Sequence, residues 1–402
     1  MIRLQQVRRL ALFFAVFLST PAFAQYEVEQ EERVWLRALF DVRLVRSGPA
    51  TSWTDSGPGK LRYGGKATAS GFERTTRLTL SQLAIEVGAT LPGDIRAQAQ
   101  VNLEHDLADD DEPWLIEAIL RKEWGAARNG FGLQAGVMNV PFSLEHVGPA
   151  WSPEYTITAS ALNSWLWEDL NLAGIEGEWW HVAGGLKFSA LAGVGYGPDQ
   201  FGRLLALRGW VLGDGLSGFN SDLALPNRTD RTEVFDERDN RPAGYGWLSL
   251  SDAQEIATLK VGYFDNGGDQ DEPGVWHTRF SVVGLVVHPH PNIDVLAQYM
   301  DGVARVRAPS NDSSLRAYYG LVSWHSNRQR VSVRYDEFRL HDLDGPPITD
   351  EDGRGVTLAW MYQLGLRHRV AAEYIWLDSV RAANGIVNPT PDGWQLSYRF
   401  RY

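Results

Sequence analysis

Apolar and polar residues alternate at every second position along most of this chain. The stretch GWQLSYRFRY (393–402) has aromatic or aliphatic residues at alternate positions, with Gln, Ser and Arg between them. IRAQAQVNL (95–103) shows the same pattern. Because successive side chains of a β-strand point to opposite faces, this period predicts strands with one apolar and one polar face. No segment of useful length has a helical period, so we predict an all-β fold.

The number of alternating segments limits the size of the sheet. Seventeen segments show this alternation. Bacterial barrels made of one chain have even strand counts, so either one of the seventeen is not a strand or a further strand lies unrecognised between 213 and 243. We therefore predict a sixteen-stranded transmembrane antiparallel β-barrel, with eighteen strands as the alternative. The candidates are 36–45, 76–90, 94–104, 113–124, 130–139, 170–180, 184–196, 202–212, 244–251, 255–264, 277–288, 291–301, 313–324, 328–340, 354–364, 368–378 and 392–402.

Short turns and long polar loops alternate between the candidate strands. The connections at 91–94, 325–327 and 364–367 are short, whereas those at 265–276 and 341–353 are long and rich in Asp, Gly and Pro. Outer-membrane barrels place short turns in the periplasm and long loops outside the cell. An amphipathic sheet of a soluble β-protein is the alternative, and it does not require this alternation.

The N-terminus has the three parts of an export signal. Basic residues precede an apolar run at 11–18, and a small-residue cleavage site follows at 22–24. The run is shorter than the roughly 20 residues of a spanning helix. We expect 1–24 to be a signal peptide and 25–402 to be the barrel. Its expected place is the bacterial outer membrane, among lipid and lipopolysaccharide, with insertion by the barrel assembly machinery.

Composition argues against several classes of function. The 402 residues carry a formal net charge of −12 and no cysteine. The acidic charge argues against a nucleic-acid partner, and an exported chain without cysteine is held together without disulfides. An acidic run at 109–112 offers oxygen ligands for a divalent cation but is typical of a solvated loop. No HExxH, paired CxxC or GxSxG motif is present, so we expect no catalytic residue, no metal and no cofactor.

A barrel of this size is too wide for its wall side chains to fill. It therefore encloses a channel unless another segment plugs it, and the lining residues set selectivity. By strand parity we expect charges of both signs in the lumen, which suits small hydrophilic solutes or ions. The arginines expected to face the lumen are Arg43, Arg96, Arg279, Arg316, Arg334 and Arg399.

Two stretches carry a family resemblance. They are FERTTRLTLSQLAIEVGATLPGDIRAQAQVNLEHD and LQAGVMNVPFSLEHVGPAWSPEYTITASALNSWLWED; in the second, Gly136 ends a strand, and Pro141, Phe142 and Glu145 open a long loop. Together they resemble the phosphate-selective porin O and P family. The resemblance implies a homotrimer of sixteen-stranded barrels, in which a loop at about 140–169 folds inward and narrows the pore.

This sequence differs from the family in the loop that would set selectivity. The family has a basic residue shortly before the Pro-Phe pair, whereas 140–169 and the three residues before Pro141 contain no Lys or Arg. We therefore predict a porin that is weakly cation-preferring or near neutral. The alternatives are a phosphate-selective anion porin, a plugged surface scaffold, and an outer-membrane hydrolase that uses His341 and Asp342. The residues expected at the constriction are Glu145, Trp151, Glu154, Trp165, Glu168 and Asp169.

Overall fold

The computed structural model describes residues 33–69, 71–104, 113–226, 228, 230–307, 310–345, 350–381 and 392–402. The expected signal peptide at 1–24 and the acidic run at 109–112 lie outside these residues and stay predictions. Of the helices in the described part of the chain, none has the length and apolar character needed to cross a membrane.

The described residues form twenty β-strands, sixteen of which make one closed barrel. The strands are β1 Val34–Arg46, β2 Lys66–Thr68, β3 Gly71–Glu73, β4 Thr76–Leu91, β5 Ile95–Leu103, β6 Trp114–Ala126, β7 Asn129–Asn139, β8 Asn171–Ala183, β9 Leu186–Tyr196, β10 Asp222–Ala224, β11 Arg231–Glu233, β12 Ala243–Asp252, β13 Ala257–Asp265, β14 His277–His290, β15 Ile293–Arg307, β16 Ser310–Ser326, β17 Gln329–Asp342, β18 Glu351–Gln363, β19 His368–Arg381 and β20 Asp392–Arg401. Around the barrel, β1 is followed by β4 to β9 and then by β12 to β20, while β2 pairs with β3 and β10 with β11 in separate hairpins. In the described residues, two α-helices, Ala161–Asp169 and Arg203–Arg208, and two 3-10 turns, Trp53–Asp55 and Pro149–Trp151, lie between strands.

The last strand closes the barrel on the first. In the antiparallel register of β20 and β1, Phe400 lies opposite Phe40 and Tyr398 lies opposite Val42. A closed barrel leaves no unpaired strand edge, and an unpaired edge in the bilayer interior would expose backbone groups that lipid cannot satisfy. The predicted sixteen-stranded antiparallel barrel is confirmed.

One of the seventeen predicted strands is wrong. The segment 202–212 contains the Arg203–Arg208 helix and lies inside the barrel, where Leu204, Leu205 and Trp210 are fully buried. Nε1 of Trp210 donates to the backbone oxygen of Arg339 on β17 at 2.9 Å. Its apolar residues therefore pack this segment into the interior instead of forming the lipid face of a strand. The stretch 213–243 contributes the small β10–β11 hairpin and the first residue of β12, Ala243, but no additional barrel strand in its described residues.

The outer face of the barrel wall is apolar over most of its height. Val322 and Trp324 on β16, Val333 on β17, and Leu358 and Trp360 on β18 are 42–52% exposed. The residues between them along each strand are mostly buried and point inward. Exposed apolar side chains at every second position form the lipid-facing wall of a transmembrane barrel.

Candidate functional site

Three connecting segments fold into the lumen from the end of the barrel that carries the long loops. The first inner segment is 47–65, after β1; the second is 140–170, between β7 and β8; the third is 197–225, after β9. Most of their residues are buried. The second segment coincides with the loop that the family resemblance placed in the lumen, whereas sequence patterns indicated neither of the other two.

Aromatic rings from the wall and from the inner segments pack against one another. Trp165 of the second segment stacks on Phe201 of the third, with ring centroids 4.6 Å apart, and meets Trp210 edge-on at 5.8 Å. Phe280 of β14 lies 5.9 Å from Trp165 and 6.2 Å from Phe201. Contacts of this kind bury large apolar areas. This level of the lumen is therefore packed like the core of a globular protein.

Arg334 of β17 fastens the second inner segment to the wall. Its guanidinium is fully buried and donates to Oε1 of Glu145 at 2.9 Å and to the backbone oxygen of Ala159 at 2.9 Å. Its Nε donates to Oδ2 of Asp336, also at 2.9 Å. A buried charge is costly unless it is paired and hydrogen-bonded. Because the segment lies in the lumen, it supplies the hydrogen-bond acceptors and the negative charge that the buried Arg334 guanidinium needs.

Wall carboxylates bind the extended backbone of the same segment. Glu373 of β19 accepts the N–H of Ile157 at 2.6 Å and that of Thr158 at 3.1 Å, and Asp336 accepts the N–H of Ala161 at 3.2 Å. These donors have no partner within a helix or a sheet, and buried backbone groups need one. The wall thus supplies the hydrogen bonds that the extended segment cannot make internally.

A second charged cluster joins the first and third inner segments to β1 and β20. Asp214 of the third segment accepts from Arg43 at 2.5 Å and from Arg62 at 3.2 Å. Asp41 accepts from Arg43 at 3.0 Å and from Arg399 at 2.8 Å. All five side chains are at most 5% exposed. The network connects two inner segments and two wall strands through alternating charges.

Further buried ion pairs attach the inner segments to the wall and to one another. Nζ of Lys60 lies 2.7 Å from Oε1 of Glu351 on β18, and Arg381 of β19 lies 3.4 Å from Oε2 of the same carboxylate. Nη2 of Arg208 in the third segment donates to Oε2 of Glu168 in the second at 2.7 Å. Since removing one partner of such a pair leaves an uncompensated charge, each pair opposes movement of the segment that carries it.

The residues expected at the constriction have different environments. Glu145 and Glu168 are at most 1% exposed and are paired with arginines of the wall and of the third segment. Oδ2 of Asp169 accepts from Nε1 of Trp165 at 3.1 Å, and Glu154 is partly exposed. The second segment contains no Lys or Arg, but arginines from elsewhere in the chain compensate two of its acids. Trp151 is partly buried, with its ring 5.2 Å from that of Trp167.

Four of the six arginines expected in the lumen lie on the inner face of the wall. Arg43, Arg334 and Arg399 are at most 2% exposed and belong to the clusters described above. Arg96 is exposed near the short-turn end, where its guanidinium lies 5.9 Å from the ring centroid of Trp35. The structure therefore gathers three of them around the inner segments and leaves the fourth apart.

Arg279 and Arg316 point outward, contrary to the prediction. Their neighbours Phe280 on β14 and Leu315 on β16 are 1% exposed and point into the packed interior, so the arginines lie on the opposite face. The prediction failed because both faces of these strands carry apolar residues. Polarity then does not distinguish the lumen side from the lipid side.

Three carboxylates meet near the entrance of the third inner segment. Oxygens of Asp199, Glu237 and Asp239 lie within 4.8 Å of one another, the one such group of acids or histidines in the described chain. Burial, followed by the charge of neighbouring acids, raises the pKa of Asp199 and of Glu237 above the usual carboxyl range. The three carboxylates repel one another when all are ionised, and protonation of Asp199 or Glu237 relieves this repulsion.

Comparison with known proteins supports the class of barrel. No protein-family model matches the sequence, and no curated protein matches it. Salmonella typhi OmpF, solved in complex with daunomycin, has a TM-score of 0.56 at 10% identity, over 92% of this chain and 97% of that one. The outer membrane channel DcaP of Acinetobacter baumannii has a TM-score of 0.53 at 9% identity, over 94% of this chain and 100% of that one.

Another similar structure belongs to an outer-membrane protein of a different organism. Outer-membrane expressed OmpT of Vibrio cholerae has a TM-score of 0.53 at 11% identity, over 94% of this chain and 100% of that one. Identities this low establish the fold alone. The chain has the barrel fold of outer-membrane porins, and nothing in these matches selects the phosphate-selective family within that class.

Proposed function

We propose that the protein is an outer-membrane porin that passes small hydrophilic solutes or ions. The observation that supports this best is the closed sixteen-stranded wall, apolar outside, around an interior that carries charges of both signs. The DcaP structure is described as an outer membrane channel, and one OmpT structure as a trimer form. The proposal includes a homotrimer in the bacterial outer membrane, inserted by the barrel assembly machinery.

The inner segments indicate how such a channel would work. In the described residues, inward side chains of the wall near the long loops, such as Asn102, Phe280 and Leu340, are at most 1% exposed. We infer that a solute crosses this level when an inner segment moves away from the wall. We therefore assign the constriction to 140–169 together with the third inner segment, and a resting state of low conductance.

The acids of the second inner segment give weaker support for cation selectivity than the sequence predicted. The expected weak cation preference rested on the acids of 140–169, and Glu145 and Glu168 are neutralised by buried arginines. A phosphate-selective channel is the finer alternative. In its favour, Arg369 and Arg399 are register partners on the inner face of β19 and β20. Nε and Nη2 of Arg369 are buried and have no hydrogen-bond partner among the residues that the structure describes.

Two non-channel alternatives remain from the sequence. The packed aromatic interior favours a plugged surface scaffold. The hydrolase alternative relied on His341 paired with Asp342. At the outer rim, Nδ1 of His341 lies 3.5 Å from Oδ2 of Asp350, and no described contact joins His341 to Asp342. No described serine is hydrogen-bonded to His341, and the geometry therefore gives this alternative no activated nucleophile.

Planar-bilayer recording of the purified full-length protein tests the proposal. A porin gives discrete current steps, and the reversal potential in a salt gradient reports its selectivity. If the channel is an anion filter, Arg369→Gln reduces anion preference, while Arg367→Gln in a short turn leaves it unchanged. A protein that inserts and folds but never conducts, even after the second inner segment is released, is a scaffold and contradicts the proposal.

A further inference from the structure

Asp199, Glu237 and Asp239, here termed the acidic triad, come from two separate stretches of the chain. Asp199 lies just after β9, at the start of the third inner segment, whereas Glu237 and Asp239 precede β12. An isolated bridge pairs Pro198 with Asp236 and so brings the two stretches side by side. One carboxylate oxygen of each triad member lies within 4.8 Å of the other two. The triad therefore joins two connections at the long-loop end of the barrel.

The acidic triad lacks the cationic partners that the charged clusters of the lumen have. Carboxylates of those clusters are paired with arginine or lysine. Among the described residues, no Lys, Arg or His side chain forms an ion pair with a member of the triad. Arg238 and Arg241 lie close to Asp239 in sequence, but they pair with Asp236 and Asp269. The negative charge of the triad is thus not compensated by any described side chain.

Two members of the triad keep a carboxylate oxygen that no described donor reaches. Asp199 is 2% exposed; its Oδ2 accepts the N–H groups of Arg238 and Asp239 at 2.5 and 3.2 Å, and in the described chain its Oδ1 accepts no hydrogen bond. Oε2 of Glu237 accepts the N–H of Gly197 at 3.1 Å, whereas its Oε1 is buried and has no partner among the described residues. A buried carboxylate is costly unless it is paired with a cation or coordinates a metal. The two oxygens therefore point to a bound cation.

The ligand type and the spacing of the oxygens favour Ca²⁺. The triad offers carboxylate oxygens only, which suit hard cations and not the metals that prefer imidazole or thiolate ligands. Ca²⁺ lies about 2.3–2.6 Å from each oxygen ligand, so two oxygens on one ion are separated by at most about 5 Å. Mg²⁺ lies about 2.0–2.1 Å from its ligands and requires near-ideal octahedral geometry, which lowers this limit to about 4 Å. Separations of up to 4.8 Å in an irregular arrangement agree with the wider limit.

We propose that the acidic triad binds one Ca²⁺ ion. The ion joins the start of the third inner segment to the stretch that leads into wall strand β12, and it neutralises acids that otherwise repel one another. Without Ca²⁺, protonation relieves the same repulsion. The bound ion thereby holds the entrance of an inner segment assigned to the constriction. The sequence predicted no metal, because Asp199 and Asp239 are 40 positions apart and form no ligand motif.

The test compares variants that lose the same charge at the same end of the barrel. The triad variant carries Glu237→Gln and Asp239→Asn, which remove two anionic ligands and keep side chains of similar size. The matched control carries Asp352→Asn and Asp378→Asn, in two exposed acids of β18 and β19 that pair with arginines. Glu237→Gln alone is the milder variant, since a glutamine oxygen still accepts from the N–H of Gly197.

Binding is measured on the full-length protein in detergent, after divalent cations have been removed with EDTA and dialysis. Calcium chloride is titrated by isothermal titration calorimetry, and heat-modifiable gel migration confirms that each variant is folded. We expect wild type and the control to bind one Ca²⁺ per chain with equal affinity. The triad variant should lose affinity about tenfold or more, because the affinity of oxygen sites for Ca²⁺ depends on the number of charged ligands. Glu237→Gln alone should also bind more weakly than the control.

Terbium(III), which also prefers oxygen ligands, gives a second signal from the same site. The backbone N–H of Trp276 donates to the backbone oxygen of Asp199 at 2.7 Å, which places this tryptophan next to the triad. Excitation of tryptophan should therefore produce terbium luminescence in wild type and in the control, and Ca²⁺ should displace the terbium. The signal should be lost in the triad variant.

Several outcomes overturn the inference. The triad is not a calcium site if the triad variant binds Ca²⁺ as tightly as the control does, or if wild type binds Mg²⁺ more tightly than Ca²⁺. Loss of binding after neutralisation of the acidic run at 109–112, with the triad variant unaffected, assigns the ion to that run instead. In planar bilayers, Ca²⁺ should make openings less frequent in wild type and in the control but not in the triad variant. Because binding is measured without current, a protein that never conducts refutes the channel proposal and leaves the calcium assignment intact.

Discussion

Replacing Arg334 by glutamine should release the second inner segment without unfolding the barrel. The arginine is fully buried and donates to six acceptors, four of which belong to that segment, including Glu145 and Thr158. Glutamine has two N–H donors and no charge. The variant therefore loses most of these bonds and leaves Glu145 and Asp336 without their cation.

The size of the effect follows from the burial of the two carboxylates. Removing one partner of a buried ion pair costs about 3–5 kcal/mol, because the remaining charge is left unpaired. This cost falls on the docked position of the segment, since the hydrogen bonds of β17 with β16 and β18 are made by the backbone. The undocked population should therefore rise roughly a hundredfold or more.

Hydrogen exchange and single-channel recording measure the release. The N–H groups of Ile157, Ser160 and Ala161 donate to Glu373, Glu145 and Asp336 in turn, so they should exchange faster in Arg334→Gln, and openings should become more frequent or larger.

The control for this experiment is Lys187→Gln, which removes an exposed ion pair with Glu255 at the short-turn end and should cost under about 1 kcal/mol. Unchanged exchange around 157–161 together with wild-type conductance would refute the reasoning. Loss of protection in the barrel strands would show that Arg334 holds the wall instead.

Three further predictions concern the wall, the topology and the loops. Leu358→Arg, in the apolar band, should reduce the free energy of unfolding of the barrel in vesicles by about 2–4 kcal/mol, whereas Ser281→Arg at the rim should reduce it by about 0–1 kcal/mol. Heat-modifiable gel migration measures both effects. An epitope inserted in 266–276 should be labelled on intact cells and one in 325–327 should not, and the reverse pattern would invert the topology. Because Asp199 and Glu237 near Asp239 have raised pKa values, stability should increase as pH falls from neutral through their raised pKa values; thermal unfolding of Asp239→Asn should show a weaker pH dependence.

The sequence predicts the barrel well because lipid constrains one face of every strand. The predicted strand 354–364 is observed as Glu351–Gln363, and 392–402 as Asp392–Arg401. Errors in strand bounds are larger where a strand continues beyond the bilayer, as in Ile293–Arg307 against the predicted 291–301. Beyond the apolar band nothing forces alternation, so the pattern fades before the strand ends.

The charged clusters could not be predicted from the chain because their partners are far apart in sequence. Arg334 and Glu145 are separated by 189 positions, and Arg43 and Asp214 by 171. Within the second inner segment, Glu145 and Glu168 have no Lys or Arg near them in sequence, so the sequence predicts that they face a pore. Only the folded arrangement shows that buried arginines neutralise them.

The filled lumen nevertheless leaves two signals in the sequence that explain each other. On β14, Phe280 and Val282 point inward and Val283 and Leu285 point outward, so this strand is apolar on both faces. An open, water-filled lumen would expose the inward pair, whereas a strand covered on both faces normally carries apolar residues on both. The covering residues must then come from a connection that is itself apolar, and LLALRGWVL at 204–212 is such a connection. The misassigned strand at 202–212 and the misassigned direction of Arg279 therefore have one physical cause, the packing of an apolar inner segment against the inner face of the wall.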